Sequence, residues 1–226
     1  MIAYTVESHG IKAAPVDYET AKKNYRKNNI NCPDLEVAEQ MEQDILAVRK
    51  TGETCGGVIE MIIRGLPAGL GEPVFDKLEA TLAHAMMSIG AIKGIEFGAG
   101  FRVAEMVGSE CNDEMYWDKE TGRVKFYTNH AGGFLGGISS GDEVRIRMAV
   151  KPTPTVDVVQ RTVDTANGTD VKLSPITRRD ASLLPRIYPV CEAMARIAIV
   201  DAMMIFNGYR CMEDLDKKYD LMYTNR

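Results

Sequence analysis

No Cys-x-x-Cys pair occurs in the 226 residues. The five cysteines, Cys32, Cys55, Cys111, Cys191 and Cys211, are scattered and odd in number, which leaves neither a disulfide framework nor a zinc site to argue for. There is no basic excess either. A formal charge of -5 from 27 Lys and Arg against 32 Asp and Glu disfavours a general nucleic-acid or anionic-membrane binder, so any phosphate site has to be a local basic pocket. The scattered cysteines make a reduced, cytoplasmic home the expectation, and no secretory signal opens the sequence and no apolar run is long enough to span a bilayer. The glycines never precede Lys-Ser or Lys-Thr and never spell Gly-x-Gly-x-x-Gly, which removes the Walker A loop and the dinucleotide fingerprint.

Glycine itself is present, and concentrated. Residues 129–141 read NHAGGFLGGISSG, two glycine pairs and a closing single, with apolar or hydroxylic residues between them and no charge. A flexible linker would be polar throughout, whereas Phe134, Leu135 and Ile138 call for burial. The run is therefore expected to be a docked, ligand-facing loop whose backbone N–H groups can approach an anion or a flat cofactor.

The length suits one large domain or two small ones. Residues 2–6 read as a strand, and Glu7-Ser8-His9-Gly10 as its exit. A helix is expected from an Asp34 cap to Lys50, with Ala38, Met41, Ile45, Leu46 and Val48 on one face and Gly52 beyond it. Residues 56–63 are β-rich, and 65–73, with three glycines and two prolines, form a shaped loop. A second helix is expected over 74–89, using Phe75, Leu78, Leu82, Ala85 and Met86; Met86, Met87 and Met106 read as core filler. Residues 90–94 break it and lead to strands 95–97 and 101–107. Lys93 reads as a solvated lysine before an anion partner, and 108–122 as a mobile surface excursion. A half-buried strand over 143–150 runs into Lys151-Pro152-Thr153-Pro154-Thr155, where two prolines end the ladder and leave a lysine and two hydroxyls able to grip phosphate oxygens. Runs at 156–163 and 170–173 form a hairpin with a type I′ turn at Asn167-Gly168. Thr177-Arg178-Arg179-Asp180 precedes a helix over 185–206 that is apolar nearly all round, with a Glu192–Arg196 pair and an Asn207-Gly208 cap; a charged tail follows.

Taken in order, the loop at 65–73, the turn at 88–94, the glycine run, the 151–155 exit and the segment RRDASLLPRIYPVCEAM at 178–194 resemble the chorismate synthase family over about residues 1–207. Two departures stand out: the family's Arg-His-Asp-Pro-Cys appears as Arg178-Arg179-Asp180-Ala181-Ser182, and the Asn of its helix-breaking turn is Gly90. The family's N-terminal third is expected to be absent, with its Gly-Glu-Ser-His-Gly strand, arginine-rich substrate loop, second histidine loop and Gly-Arg-Ser-Ser flavin segment. The stretch Glu7-Ser8-His9-Gly10 mimics the first of these but sits downstream.

The resemblance implies an α+β fold, an incomplete β-α-β sandwich with helices between antiparallel sheets, carried by residues 1–211 and followed by a tail at 212–226. It implies a lyase of the shikimate pathway of aromatic amino acid biosynthesis, which removes phosphate from 5-enolpyruvylshikimate 3-phosphate by anti-1,4-elimination with reduced FMN and no net redox change, as a cytoplasmic homotetramer. The flavin contacts it implies are Gly90, Ala91, Gly136, Lys151, Pro152, Thr153, Pro154, Thr155 and Arg178, and Asp180 is the implied catalytic proton carrier. The plainer reading of Asp180 is an ion pair with Arg178 or Arg179. No metal, nucleic acid or membrane is expected. On its own the chain is expected to be inactive, and the rival reading is a silent fragment or paralogue kept for assembly or weak flavin binding.

Overall fold

The computed structural model describes residues 1–173 and 180–208. Its elements in chain order are β1 (Ile2–Ser8), β2 (Ile11–Lys12), α1 (Tyr18–Asn24), α2 (Leu35–Lys50), β3 (Gly57–Ile63), α3 (Leu78–Met87), β4 (Ile92–Phe97), α4 (Gly108–Cys111), β5 (Met115–Asp118), β6 (Arg123–Phe126), β7 (Phe134–Leu135), β8 (Ile138–Ser139), β9 (Val144–Val150), β10 (Gln160–Asp164), β11 (Thr169–Leu173) and α5 (Leu184–Asn207). A five-stranded sheet has the order β2-β1-β3-β9-β4, and the pairs β5-β6, β7-β8 and β10-β11 are separate antiparallel hairpins. The chain divides into two compact units: residues 1–3, 60–148 and 188 onward, and residues 4–59 and 149–187. The expected tail at 212–226 lies outside the described residues.

In the first unit the core is built by alternation on the strands and by 3.6-residue spacing on the helices. Val144, Ile146 and Met148 point inward on β9, while Arg145 and Arg147 point the other way and are neutralised. Arg145 donates to Glu60 Oε1 at 2.7 Å and to Glu143 Oε1 at 2.8 Å, Arg64 closes on Glu143 Oε2 at 2.7 Å, and Arg147 meets Glu96 Oε1 at 2.7 Å. Leu78, Leu82 and Met86 bury one stripe of α3. That helix starts at Leu78 rather than at Val74. The Glu72 N–H donates to Asp76 O at 2.9 Å to close a turn, and Lys77 is extended, which leaves Phe75 88 % exposed. Met87 is exposed as well.

The stretch expected as a strand over 101–107 contains instead a 3₁₀ turn at Gly100–Glu105, because Gly98 and Gly100 take positive φ and the Glu96 carboxylate accepts the Phe101 N–H at 3.3 Å. Residues 108–126 form α4 and the exposed β5–β6 hairpin, and the ring of Tyr116 on β5 lies 4.7 Å from that of Tyr127, just past β6. Cys191, Ala195 and Ile199 bury one face of α5, so the helix is not enclosed all round: Val190, Ile197 and Ile205 are exposed. The buried Glu192 accepts from the Ala3 N–H at 2.9 Å and from Arg196 at 3.0 Å, as the i,i+4 spacing suggested. Gly208, at φ +62, ends the helix.

In the second unit α2 begins where its cap predicts, with Asp34 Oδ1 accepting from the Val37 N–H at 3.2 Å, and ends at Lys50, with Thr51 as its C-cap and Gly52 just beyond at φ +86. Ala38 and Met41 are buried, but Leu46 is 54 % exposed and belongs to the outer face. Helix α1 was not anticipated, although Asp17, which accepts from the N–H groups of Glu19 and Thr20, is an ordinary N-cap. The β10–β11 hairpin forms as expected with a different turn. Asp164 and Thr169 are paired, the Asp164 carboxylate takes the Ala166 N–H at 2.9 Å, and only Gly168 has positive φ, so the loop is longer than a two-residue type I′ turn.

Candidate functional site

Strand β9 ends at Val150 because Pro152 has no N–H to offer a neighbour. The residues past it, in the second unit, lie along the segment 54–56. The Thr54 hydroxyl donates to Thr153 O at 2.7 Å, and a Cβ at Gly56 would overlap Val150 O, so only glycine lets the two backbones run this close. The Cys55 N–H donates to Ala181 O at 2.8 Å, which sets residues 180–182 against the same segment. Two of the sequence-named groups, Lys151 to Thr155 and Asp180, therefore border one stretch of chain. The Asp180 carboxylate is held by Arg186 Nη1 at 2.8 Å, on the first turn of α5, a partner the sequence reading did not name. Arg178 and Arg179 lie outside the described residues.

Thr153 Oγ1 is buried without a hydrogen-bond partner, and the half-buried Lys151 has no ion pair among the described residues. An unpaired buried hydroxyl costs roughly 1–3 kcal/mol, and a hydroxyl and an ammonium two residues apart are donor types that a phosphate monoester accepts from. In donor type these residues suit the phosphate of the flavin mononucleotide that the family resemblance implies. The nearby Cys55 thiol is no rival nucleophile: burial pushes it up, and the Ser182 hydroxyl only partly offsets this. His9 and Gly10 form the β1–β2 turn, with His9 Nδ1 2.9 Å from Asp44 Oδ2, so this stretch is a strand exit as read.

In the first unit the glycine run is docked, as expected, and is folded into the β7–β8 hairpin. Phe134 pairs with Ser139, and Gly136 and Gly137, at φ +60 and +82, make the two-residue turn. Phe134 is buried and meets Phe97 edge to face at 5.5 Å; Leu135, expected inside, is 44 % exposed because it alternates to the outer side of a two-stranded ribbon. A cleft of about 600 Å³ beside the turn is lined by Lys77, Phe101, His130, Gly136 and Gly137. At its edge burial raises the Glu79 carboxyl, partly offset by Lys77. Gly136 and Gly90 have open space where a side chain would start, so both can face a ligand, and Gly90 is not a steric requirement. Ala91 is half-buried next to it, and Lys93 is exposed.

Asp113 escaped the sequence reading. Its carboxylate accepts the His130 N–H at 2.7 Å, the Ala131 N–H at 2.9 Å and the Thr128 hydroxyl at 2.7 Å. Burial alone would raise it, but the hydrogen bonds from Thr128, Ala131 and His130 outweigh that and hold it below the usual carboxylate range. A second cleft, of about 560 Å³, lies between α3 and α5 and mixes Asp76, His84 and Asp201 with Met194, Ile197 and Ile205.

These units make an α+β protein of packed helices, a mixed-order sheet and antiparallel hairpins. The chain belongs to the chorismate synthase family, whose model matches residues 2–204. It is 57 % identical over 222 residues to a chorismate synthase of Acetivibrio thermocellus, covering 97 % of this chain and 56 % of that protein. It is 45 % identical over 201 residues to one of Methanosarcina acetivorans, covering 89 % and 54 %. A crystal structure of chorismate synthase superposes with a TM-score of 0.77 at 28 % identity, over 96 % of this chain and 60 % of that one. The fold class and the family resemblance are thus borne out. The chain spans about half the length of the curated relatives it matches.

Proposed function

We propose that this chain, through a core within residues 1–211, is the flavin-facing part of a chorismate synthase. The complete enzyme eliminates phosphate from 5-enolpyruvylshikimate 3-phosphate in the anti-1,4 sense, in the cytoplasm and as a homotetramer. Reduced FMN, when bound, supplies an electron-rich ring beside the substrate and is not consumed. The chain's own groups bind and orient. Lys151, Thr153 and Thr155 offer an ammonium and two hydroxyls to phosphate oxygens; Pro152 and Pro154 keep that exit from continuing as a strand; Arg178 adds a guanidinium; Gly90, Ala91 and Gly136 leave backbone open to a flat ring. Asp180, aligned by Arg186, holds or accepts a proton at its carboxylate next to the flavin.

The observation that carries this reading is the buried, partnerless Thr153 hydroxyl, two residues from a Lys151 that has no ion pair among the described residues, in the segment for which the family resemblance implies FMN contacts. Elimination requires flavin, substrate phosphate and proton carriers to be held together, since most of the rate comes from positioning and preorganised charge. The chain alone, supplied with reduced FMN, is therefore expected to form no chorismate. Joined to the remainder of the Acetivibrio thermocellus relative, it is expected to form chorismate. Chorismate from the chain alone, or none from a folded chimera, counts against the reading.

A further inference from the structure

The hairpin excursion at 108–126 takes no part in the proposed chemistry, and its Met115 and Trp117 face outward. One of its side chains nevertheless ends at the entry of the glycine run. Asp113 Oδ1 receives both the His130 N–H and the Thr128 hydroxyl, and Oδ2 receives the Ala131 N–H. Only an ionised carboxylate can accept from three donors in this way without turning a donor of its own toward one of them. The far end of the run is anchored through Ser139. Its hydroxyl accepts the Leu70 N–H at 2.8 Å and donates to Pro67 O at 2.7 Å.

Between the two anchors Gly132, Gly133, Gly136 and Gly137 all sit at positive φ. Glycine has the widest conformational freedom of any residue, so where these backbones come to rest depends on what grips them: the Arg145 N–H on Gly132 O at 3.3 Å, the Ser140 N–H on Gly133 O at 2.9 Å, the Glu79 N–H on Gly137 O at 3.2 Å and, at the entry, Asp113. We infer that Asp113 is a positioning residue: it fixes the entry of the 129–141 hairpin and so places the Gly136 turn against its ligand. The ligand half of this inference rests on the reading of Gly136 as a flavin contact; the anchoring half does not.

Amide hydrogen exchange on the full chain separates the two. Asp113→Asn keeps the size but offers one acceptor oxygen and an NH₂ that opposes an N–H. Amides 130–137 are expected to exchange at least tenfold faster, while β3 and β9 keep their protection. Thr128→Val, which removes one of the three bonds and leaves the charge, is expected to give a smaller acceleration confined to the same residues. It also serves if Asp113→Asn does not fold. FMN affinity, followed by flavin fluorescence, is expected to fall in the order wild type, Asp113→Glu, Asp113→Asn, because the Glu variant keeps the charge and misplaces it by one methylene. Unchanged exchange at 130–137, or acceleration spread evenly over the whole chain, would overturn the positioning role. If wild type binds no FMN, the flavin reading of Gly136 fails while the exchange data still decide whether Asp113 anchors the hairpin.

Discussion

Gly98 and Gly132 lie backbone to backbone. A Cβ on Gly98 would overlap His130 O and Gly132 N, and a Cβ on Gly132 would overlap Gly98 N. Both take positive φ, +55 and +69. The contact seats the start of the glycine run on the end of β4, and no flexible side chain is available to make room.

Gly132→Ala is therefore expected to cost roughly 2–4 kcal/mol, about 1–2 from the left-handed backbone and the rest from overpacking, or about 5–15 °C in the thermal midpoint. Gly122→Ala is the control, since Gly122 has φ +63 but nothing within 4 Å of its Cβ position, so it should show the conformational part only. Equal losses in the two variants, read by calorimetry, would mean that the Gly98–Gly132 contact contributes nothing.

Acid should release the same hairpin. The Asp113 carboxyl is lowered from 3.8, so its contribution to folding is complete above that value and decays as pH falls through the lowered one. The neighbouring His130 acts in the same direction on Asp113, and Asp142 shares the crevice. Protection of the His130 and Ala131 amides, corrected for intrinsic exchange, is expected to hold from pH 6 to pH 4.5 and to drop below about pH 4, with no such step in Asp113→Asn. A drop between pH 6 and pH 5 would assign the switch to another group.

Burial holds the thiol of Cys191 up at about 12 and that of Cys32 at about 11, and raises that of Cys55. Cys111 is the half-exposed cysteine among the described residues. Iodoacetamide at pH 8 followed by peptide mass mapping should label Cys111 well before these three, because the thiolate is the reacting form. Early labelling of Cys191 would show that α5 opens far more readily than its packing suggests.

What could be read in advance follows from how local each signal is. The Asp34 cap of α2, the alternation on β9 and the prolines at 152 and 154 act within a few residues, and each appears where it was expected. The start of α3 was misplaced because a turn closed by Asp76 O overrides the apolar spacing of Val74 and Phe75. Asn167-Gly168 looks like a two-residue turn in sequence, but the Asp164 carboxylate takes the Ala166 and Asn167 N–H groups and the Asp164 carbonyl takes the Gly168 N–H. Asp113 was illegible for a simple reason: its partners His130 and Ala131 lie 17 and 18 residues along the chain, and nothing in an Asn-Asp-Glu triplet announces that distance. The Arg186 partner of Asp180 was hidden behind two nearer arginines in sequence.

The central claim is that the strand exit after β9 holds the flavin phosphate, and an FMN fluorescence titration of the purified chain tests it most directly. Lys151→Ala and Thr153→Val remove one charge-assisted donor and one buried, partnerless hydroxyl, and neither breaks an ion pair or hydrogen bond of that side chain among the described residues. Losing a charged donor to phosphate is worth about 1.5–3 kcal/mol, which predicts roughly 10- to 150-fold weaker FMN binding by Lys151→Ala with an unshifted thermal midpoint, and a smaller loss by Thr153→Val with a raised midpoint, since that change removes an unpaired buried hydroxyl. FMN affinity equal to wild type in both variants would contradict the account.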